Sequence, residues 1–163
     1  MNADEVEDLY RRHVPDAVRL AFLITGDRAE AQDVAQDAFL AAAGRFRLMR
    51  DPSKFGAYLR RTVVRSVLMR RRSSDREVAR VERSVRGAPD HVAGAHHGLA
   101  DRLVLEAALG RLTARQRAAV VLRYWHDLPE REIARILGCA PGTVKSLLSR
   151  ALETLREEVP ADV

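Results

Sequence analysis

The sequence predicts an all-α protein: two small helical domains joined by a flexible linker, the C-terminal one containing a helix-turn-helix. Three observations carry this reading. Apolar residues recur at i, i+3, i+4 and i+7 through most of the chain. The recurrences are bracketed by helix start and stop residues, with no convincing strand signal. The pattern dissolves between Ser73 and Ala100. Residues 1–72 are therefore expected to form one unit, 73–100 a linker and 101–158 the second unit. Units this small bury only about 60% of their unfolded surface, so docking onto a large partner would stabilise both.

In chain order, Val6, Leu9, Tyr10, His13 and Val14 lie on one helical face, and Ala17, Leu20, Ala21 and Ile24 continue it beyond Pro15. Proline suits a first helical turn better than an interior, so Pro15 is predicted to start a second helix. Gly26 then supplies a stop. Asp27 and Glu30 have the spacing of a capping box opening a helix through about Ala43. Its inner side is Ala31, Val34, Ala38, Phe39 and Ala42, which leaves Asp33, Gln36 and Asp37 outward. Asp51-Pro52 starts a helix with Phe55, Leu59, Val63 and Val67 on one face, predicted to end in Arg70-Arg71-Arg72. The segment "SSDREVARVERSVRGAPDHVAGAHHGLA" reads as the linker, with a short helix predicted over residues 75–86.

Periodicity returns with Leu103, Leu105, Ala108, Leu109 and Leu112. Thr113 and Gln116 form a second capping box ahead of Ala119, Val120, Leu122, Tyr124 and Trp125. Leu128-Pro129 starts a short helix bearing Ile133, Ala134 and Leu137. The last helix begins near Pro141 and is predicted to bury Val144, Leu148, Ala151, Leu152 and Leu155.

Charge and composition exclude several functions. A net charge of +5, from 28 basic against 23 acidic residues, favours an anionic partner. Cys139 is the single cysteine, which rules out an internal disulfide and a multi-cysteine zinc site and fits a reducing compartment. The first residues include Asp4, Glu5, Glu7 and Asp8 rather than a basic segment before an apolar run, and no stretch reaches the roughly 18 apolar residues of a membrane span. A cytoplasmic protein is expected. His91, His96, His97 and Asp101 fall in or beside the linker with no scaffold to fix ligand geometry, so no metal or other cofactor is expected. The chain has no phosphate-binding glycine loop, no helical metal-ligand pair and no catalytic Ser or Cys signature, so no enzymatic activity is expected.

Two constellations point to nucleic acid. In "LPEREIARILGCAPGTVKSLLSRALETLR", Gly138 sits where the chain must reverse tightly, with a positive backbone torsion angle expected. Val144 and Leu148 anchor the following helix, so Thr143, Ser146 and Arg150 lie on its outer side, flanked by Lys145 and Ser149. With Pro141 and Gly142, these small and basic residues suit a helix start that enters the DNA major groove. In the first unit, Arg60, Arg61, Arg65, Arg70, Arg71 and Arg72 occur with no acidic residue between them, a track for phosphates. Tyr58 adds a ring on which an unpaired base can stack, worth about 1–3 kcal/mol.

The segments "LYRRHVPDAVRLAFLITGDRAEAQDVAQDAFL", "FGAYLRRTVVRSVLMRRR" and "LGRLTARQRAAVVLRYWHDLPEREIARILGCAPGTVKSLLSRALETLR" together resemble an RNA polymerase sigma factor of the extracytoplasmic-function (ECF) group, which keeps only sigma regions 2 and 4. The resemblance implies a non-catalytic factor that binds core RNA polymerase through the β′ clamp helices and the β flap, and promoter DNA. It implies core binding by Asp33, Gln36 and Asp37, minus-ten recognition and melting by the helix from Tyr58 to Arg72, and minus-thirty-five reading by the helix from Pro141 to Arg150. It also suggests an anti-sigma protein as a masking partner. The chain departs from the family pattern at Tyr58, Arg65, Met69, Ala140 and Leu147, where tryptophan, asparagine, aspartate, serine or threonine, and arginine are common. The alternative is a helix-turn-helix repressor or activator that binds operator DNA without polymerase; the acidic face and separate arginine helix of the first unit argue against it.

Overall fold

A computed structural model describes residues 2–82 and 99–158. Three α-helices build the first unit: α1 (Ala3–Thr25), α2 (Arg28–Arg45) and α3 (Phe55–Glu82), with 3₁₀ turns at Phe46–Leu48 and Pro52–Lys54. The second unit holds α4 (Leu99–Gly110), α5 (Ala114–Val120), a π turn at Val121–Trp125, α6 (Glu130–Leu137) and α7 (Pro141–Glu158). No strand occurs among the described residues.

Most expected helix signals operate. Gly26 and Gly138 adopt left-handed φ values of 74° and 65° and end α1 and α6. The Thr113–Gln116 capping box forms in both directions. The first core gathers Leu20, Ile24, Val34, Phe39, Phe55, Leu59, Val63 and Val67, with Phe55 edge-on to both Phe39 and Phe46. The second gathers Leu112, Leu122, Ile133, Val144, Leu148 and Ala151. Each of the Leu, Ile and Val side chains contributes about 1.5–3 kcal/mol on full burial, which fixes the α6–turn–α7 geometry.

Several expectations are corrected. Pro15 does not start a new helix; it lies inside a continuous α1. Its ring is exposed, so water can solvate the carbonyl it frees, while Val14, Ala17 and Leu20 hold both sides of the helix in the core. Only half of the first capping box exists: Asp27 accepts the Glu30 N–H at 2.9 Å, but the Glu30 carboxylate accepts from Arg71, a stronger charge-assisted bond. Helix α3 does not stop at Arg72 but runs to Glu82, because no Gly or Pro interrupts residues 57–86. The linker expected over 73–100 is thus shortened by α3 at one end and α4 at the other, and the short helix expected over 75–86 becomes the end of α3 as far as residue 82. Residues 83–98, which include His91, His96 and His97, lie outside the described residues.

Tyr124 and Trp125 were expected on the apolar face of their helix. They are instead 60% and 53% exposed. The π turn explains this: the His126 N–H bonds back to Val121, five residues away, which shifts the helical phase and rotates both rings outward. Leu152 and Leu155 are half-buried rather than buried. Cys139, in the turn between α6 and α7, is also half-buried.

The two units are packed against each other. The buried apolar cluster runs without interruption from Val14 in α1 to Ala151 in α7, and α1 and α3 touch α5 and α6 directly.

Candidate nucleic-acid interface

Helix α7 presents the residues singled out by its buried periodicity. Pro141, Gly142, Thr143, Lys145, Ser146, Ser149 and Arg150 are all exposed, while Val144 and Leu148 are buried on the opposite side. Ala140 fills the cap position with its backbone alone, its carbonyl accepting from Thr143 and Val144. Ser146 donates to the Gly142 carbonyl at 3.2 Å, so its hydroxyl is partly occupied. Leu147 is half-buried against the core edge. Beside the turn, Arg131, Arg135, Cys139 and Pro141 border an open concavity of about 610 Å³. Sequence reasoning passed over these two arginines, though their i, i+4 spacing opposite Ile133 and Leu137 was a usable signal.

The arginines of α3 are less uniform than their sequence run. Arg61 and Arg72 are exposed and make no ion pair among the described residues. Arg70 pairs with Asp37 at 2.8 Å, with side chains 39% and 67% exposed. A pair that open to water is worth about 0.2–1 kcal/mol, so either residue is easily taken by another partner. Arg71 is more firmly held: it bonds both Glu30 and the Thr25 carbonyl at 2.9 Å. Arg65 donates to the carbonyls of Ile136 and Arg135, both at 3.3 Å, at the end of α6. Arg60 is half-buried where the units meet. Tyr58 is half-buried and packs against the core.

On α2, Asp33, Gln36 and Asp37 are exposed on one side, and Leu40 beside them is 62% exposed. No sequence signal marked two residues of the second unit that meet the first. Arg117 on α5 reaches the Ile24 carbonyl at 2.7 Å. Burial, then the neighbouring Arg71, lowers its pKa from the usual guanidinium value, and its Nε–H is buried without a partner among the described residues. His126 enters a small cavity of about 80 Å³ with His13, Asp16 and Arg60. Its pKa is lowered, first by burial and then by Arg60, with Asp16 opposing. No group of metal-ligating side chains is found among the described residues, and none of their helices is long and apolar enough to cross a membrane.

The family models for "Sigma-70 region 2" and "Sigma-70, region 4" match residues 9–77 and 102–155. The chain is 35% identical over 157 residues to the RNA polymerase sigma-E factor of Streptomyces coelicolor, covering 96% of this chain and 87% of that one. It is 34% identical over 154 residues to the ECF RNA polymerase sigma factor SigL of Mycobacterium tuberculosis, covering 91% and 85%. Among solved structures it resembles the sigma factor RpoE in complex with the anti-sigma factor NepR from Bartonella quintana, with a TM-score of 0.77, 25% identity and coverage of 99% and 100%. Sigma factors are non-catalytic subunits that bind core RNA polymerase and direct promoter-specific initiation. With both sigma regions present in order and a helix-turn-helix in the second, the chain belongs to the ECF group of RNA polymerase sigma factors.

Proposed function

We propose that the three exposed surfaces divide the work of initiation between them. The α2 side bearing Asp33, Gln36 and Asp37 docks on the clamp helices of the β′ subunit. The helix from Tyr58 to Arg72 engages and opens the minus-ten element, with Arg61 and Arg72 making the first phosphate contacts and Arg60, Arg65, Arg70 and Arg71 joining as their protein partners are displaced. The start of α7 enters the major groove at the minus-thirty-five element through Pro141, Gly142, Thr143, Lys145, Ser146, Ser149 and Arg150, and the second unit also meets the β flap. The chain acts in the cytoplasm, contributes no catalytic group of its own and requires no cofactor. An anti-sigma protein is a fitting masking partner, since RpoE, similar over nearly the whole chain, was solved with one.

The observation that carries this reading is the α7 start: seven exposed small, polar or basic residues backed by a fully buried Val144. Run-off transcription with sigma-free core polymerase on a genomic DNA pool tests it. Discrete transcripts are expected from the parent and their loss from Lys145→Glu/Arg150→Glu, with core binding retained. For the docking face, Asp33→Arg is the cleaner probe, because Asp37 also pairs with Arg70. It should weaken core binding about tenfold with unchanged helicity; equal affinity would remove α2 from the polymerase contact.

A further inference from the structure

Four ionisable side chains meet in one small cavity. His13 and Asp16 enter it from α1, Arg60 from α3 and His126 from the end of the π turn, around a volume of about 80 Å³. Leu20 and Leu59, each 2% exposed, give it an apolar side. Among the described residues, none of the four ionisable side chains makes a hydrogen bond or an ion pair. His13, Arg60 and His126 are half-buried. Polar groups withdrawn from solvent in a folded protein are normally satisfied, so this set calls for a partner from outside the chain.

The groups themselves define the chemistry of that partner. Arg60 brings a permanent positive charge and a planar fork of N–H donors. Each imidazole offers one N–H donor even when neutral. Asp16, the one acid among the lining residues, is exposed, so water weakens its hold on the cation. Burial and Arg60 lower the pKa of His126, with Asp16 opposing; an anion seated among them acts in the opposite direction to both. Donors arriving from three elements suit a tetrahedral oxyanion better than a planar carboxylate. The volume is several times the ~10–15 Å³ that one water needs, and far below the roughly 300–1,000 Å³ of a pocket for a larger ligand.

Gly56 keeps room beside the histidine. A Cβ at this position would meet the His13 ring at 3.1 Å, and that ring is already packed against Phe55, with centroids 5.3 Å apart.

We propose that this cavity is a binding site for free inorganic phosphate, held by the Arg60 guanidinium and the imidazoles of His13 and His126. The site goes beyond the polymerase and promoter reading and does not depend on it.

Histidine-resolved NMR of the full chain, in phosphate-free buffer at constant ionic strength, tests this. Inorganic phosphate should shift the ring signals of His13 and His126 along one saturating curve, and matched chloride should not. Sulfate, whose charge is fixed across the range, should raise the titration midpoint of His126 by about 1 unit or more. Arg60→Gln should weaken phosphate binding about tenfold or more, the loss expected for a charge-assisted contact. Arg19→Gln, which removes an exposed α1 arginine outside the cavity, should leave it unchanged. Gly56→Ala alters no charge and favours the helix, yet should weaken binding by crowding His13; it decides the matter should Arg60→Gln lose helicity. Shifts that do not saturate, or that chloride reproduces, would overturn the site. Dimethyl phosphate binding as tightly as phosphate would overturn the free-phosphate assignment and give the cavity to a nucleic-acid backbone.

Discussion

Gly138 turns the chain between α6 and α7 with φ at 65°, and a Cβ added there would meet nothing within 4 Å. The demand for glycine is therefore one of backbone conformation alone. A left-handed residue with a side chain costs about 1–2 kcal/mol, so Gly138→Ala should lower the urea-derived unfolding free energy by that amount, and Gly138→Asn by less, because asparagine tolerates the region. Equal midpoints for all three would mean the turn relaxes to another geometry. This position was legible in the sequence because its cause is local: a stop signal between two amphipathic runs. The fate of Arg70 and Arg71 was not. Their acceptors Asp37 and Glu30 lie 33 and 41 residues away, and an unbroken basic run carries no trace of them.

At the scale of elements, helix ends decide how well each piece stands. Helix α7 begins after Ala140, which offers no side-chain acceptor to the exposed N–H groups of the first turn. Ala140→Ser should add about 1 kcal/mol of stability through one cap hydrogen bond. Thermal melts check this, and the salt dependence of DNA binding should stay unchanged because no phosphate contact is gained. The buried stripes of α2, α3, α6 and α7 were legible because period and burial coincide there. Two elements depart from their local preference because tertiary packing outweighs it. Pro15 sits within α1 because residues on either side of it are anchored in the core, and Tyr124 and Trp125 left the apolar face because a π turn shifted the register. The outer side of α7 was legible at one remove, since fixing Val144 and Leu148 inward leaves no choice for Thr143 and Arg150.

For the whole molecule, the junction between units carries a dependence on pH. His126 has its pKa lowered from the usual 6.5 when the units are docked, by burial first and Arg60 second, with Asp16 opposing and His13 in the same cavity. Undocked, the imidazole returns towards its ordinary value. The closed state therefore binds fewer protons: docking is unaffected above about pH 6.5 and weakens as pH falls from there through the lowered pKa. The closed population, read by energy transfer, should decline between pH 7.5 and 5.5, and His126→Gln should flatten much of that decline. An unaltered slope in the variant would remove His126 as the source of the pH dependence. The docked arrangement itself was invisible in the sequence. Arg117 and Ile24 are 93 positions apart, and two amphipathic units on a tether look the same whether they touch or not.

Because the cation that closes α1 is supplied from α5, the two halves of this chain are not interchangeable parts. A chimera joining residues 1–82 to the second half of another sigma factor would inherit an α1 whose final carbonyls lack one of their two donors, unless the graft brought an arginine at the position of Arg117. Recombination between members of the group would thus select for matched pairs across the tether, and the first half of the gene would carry part of its folding information in the second.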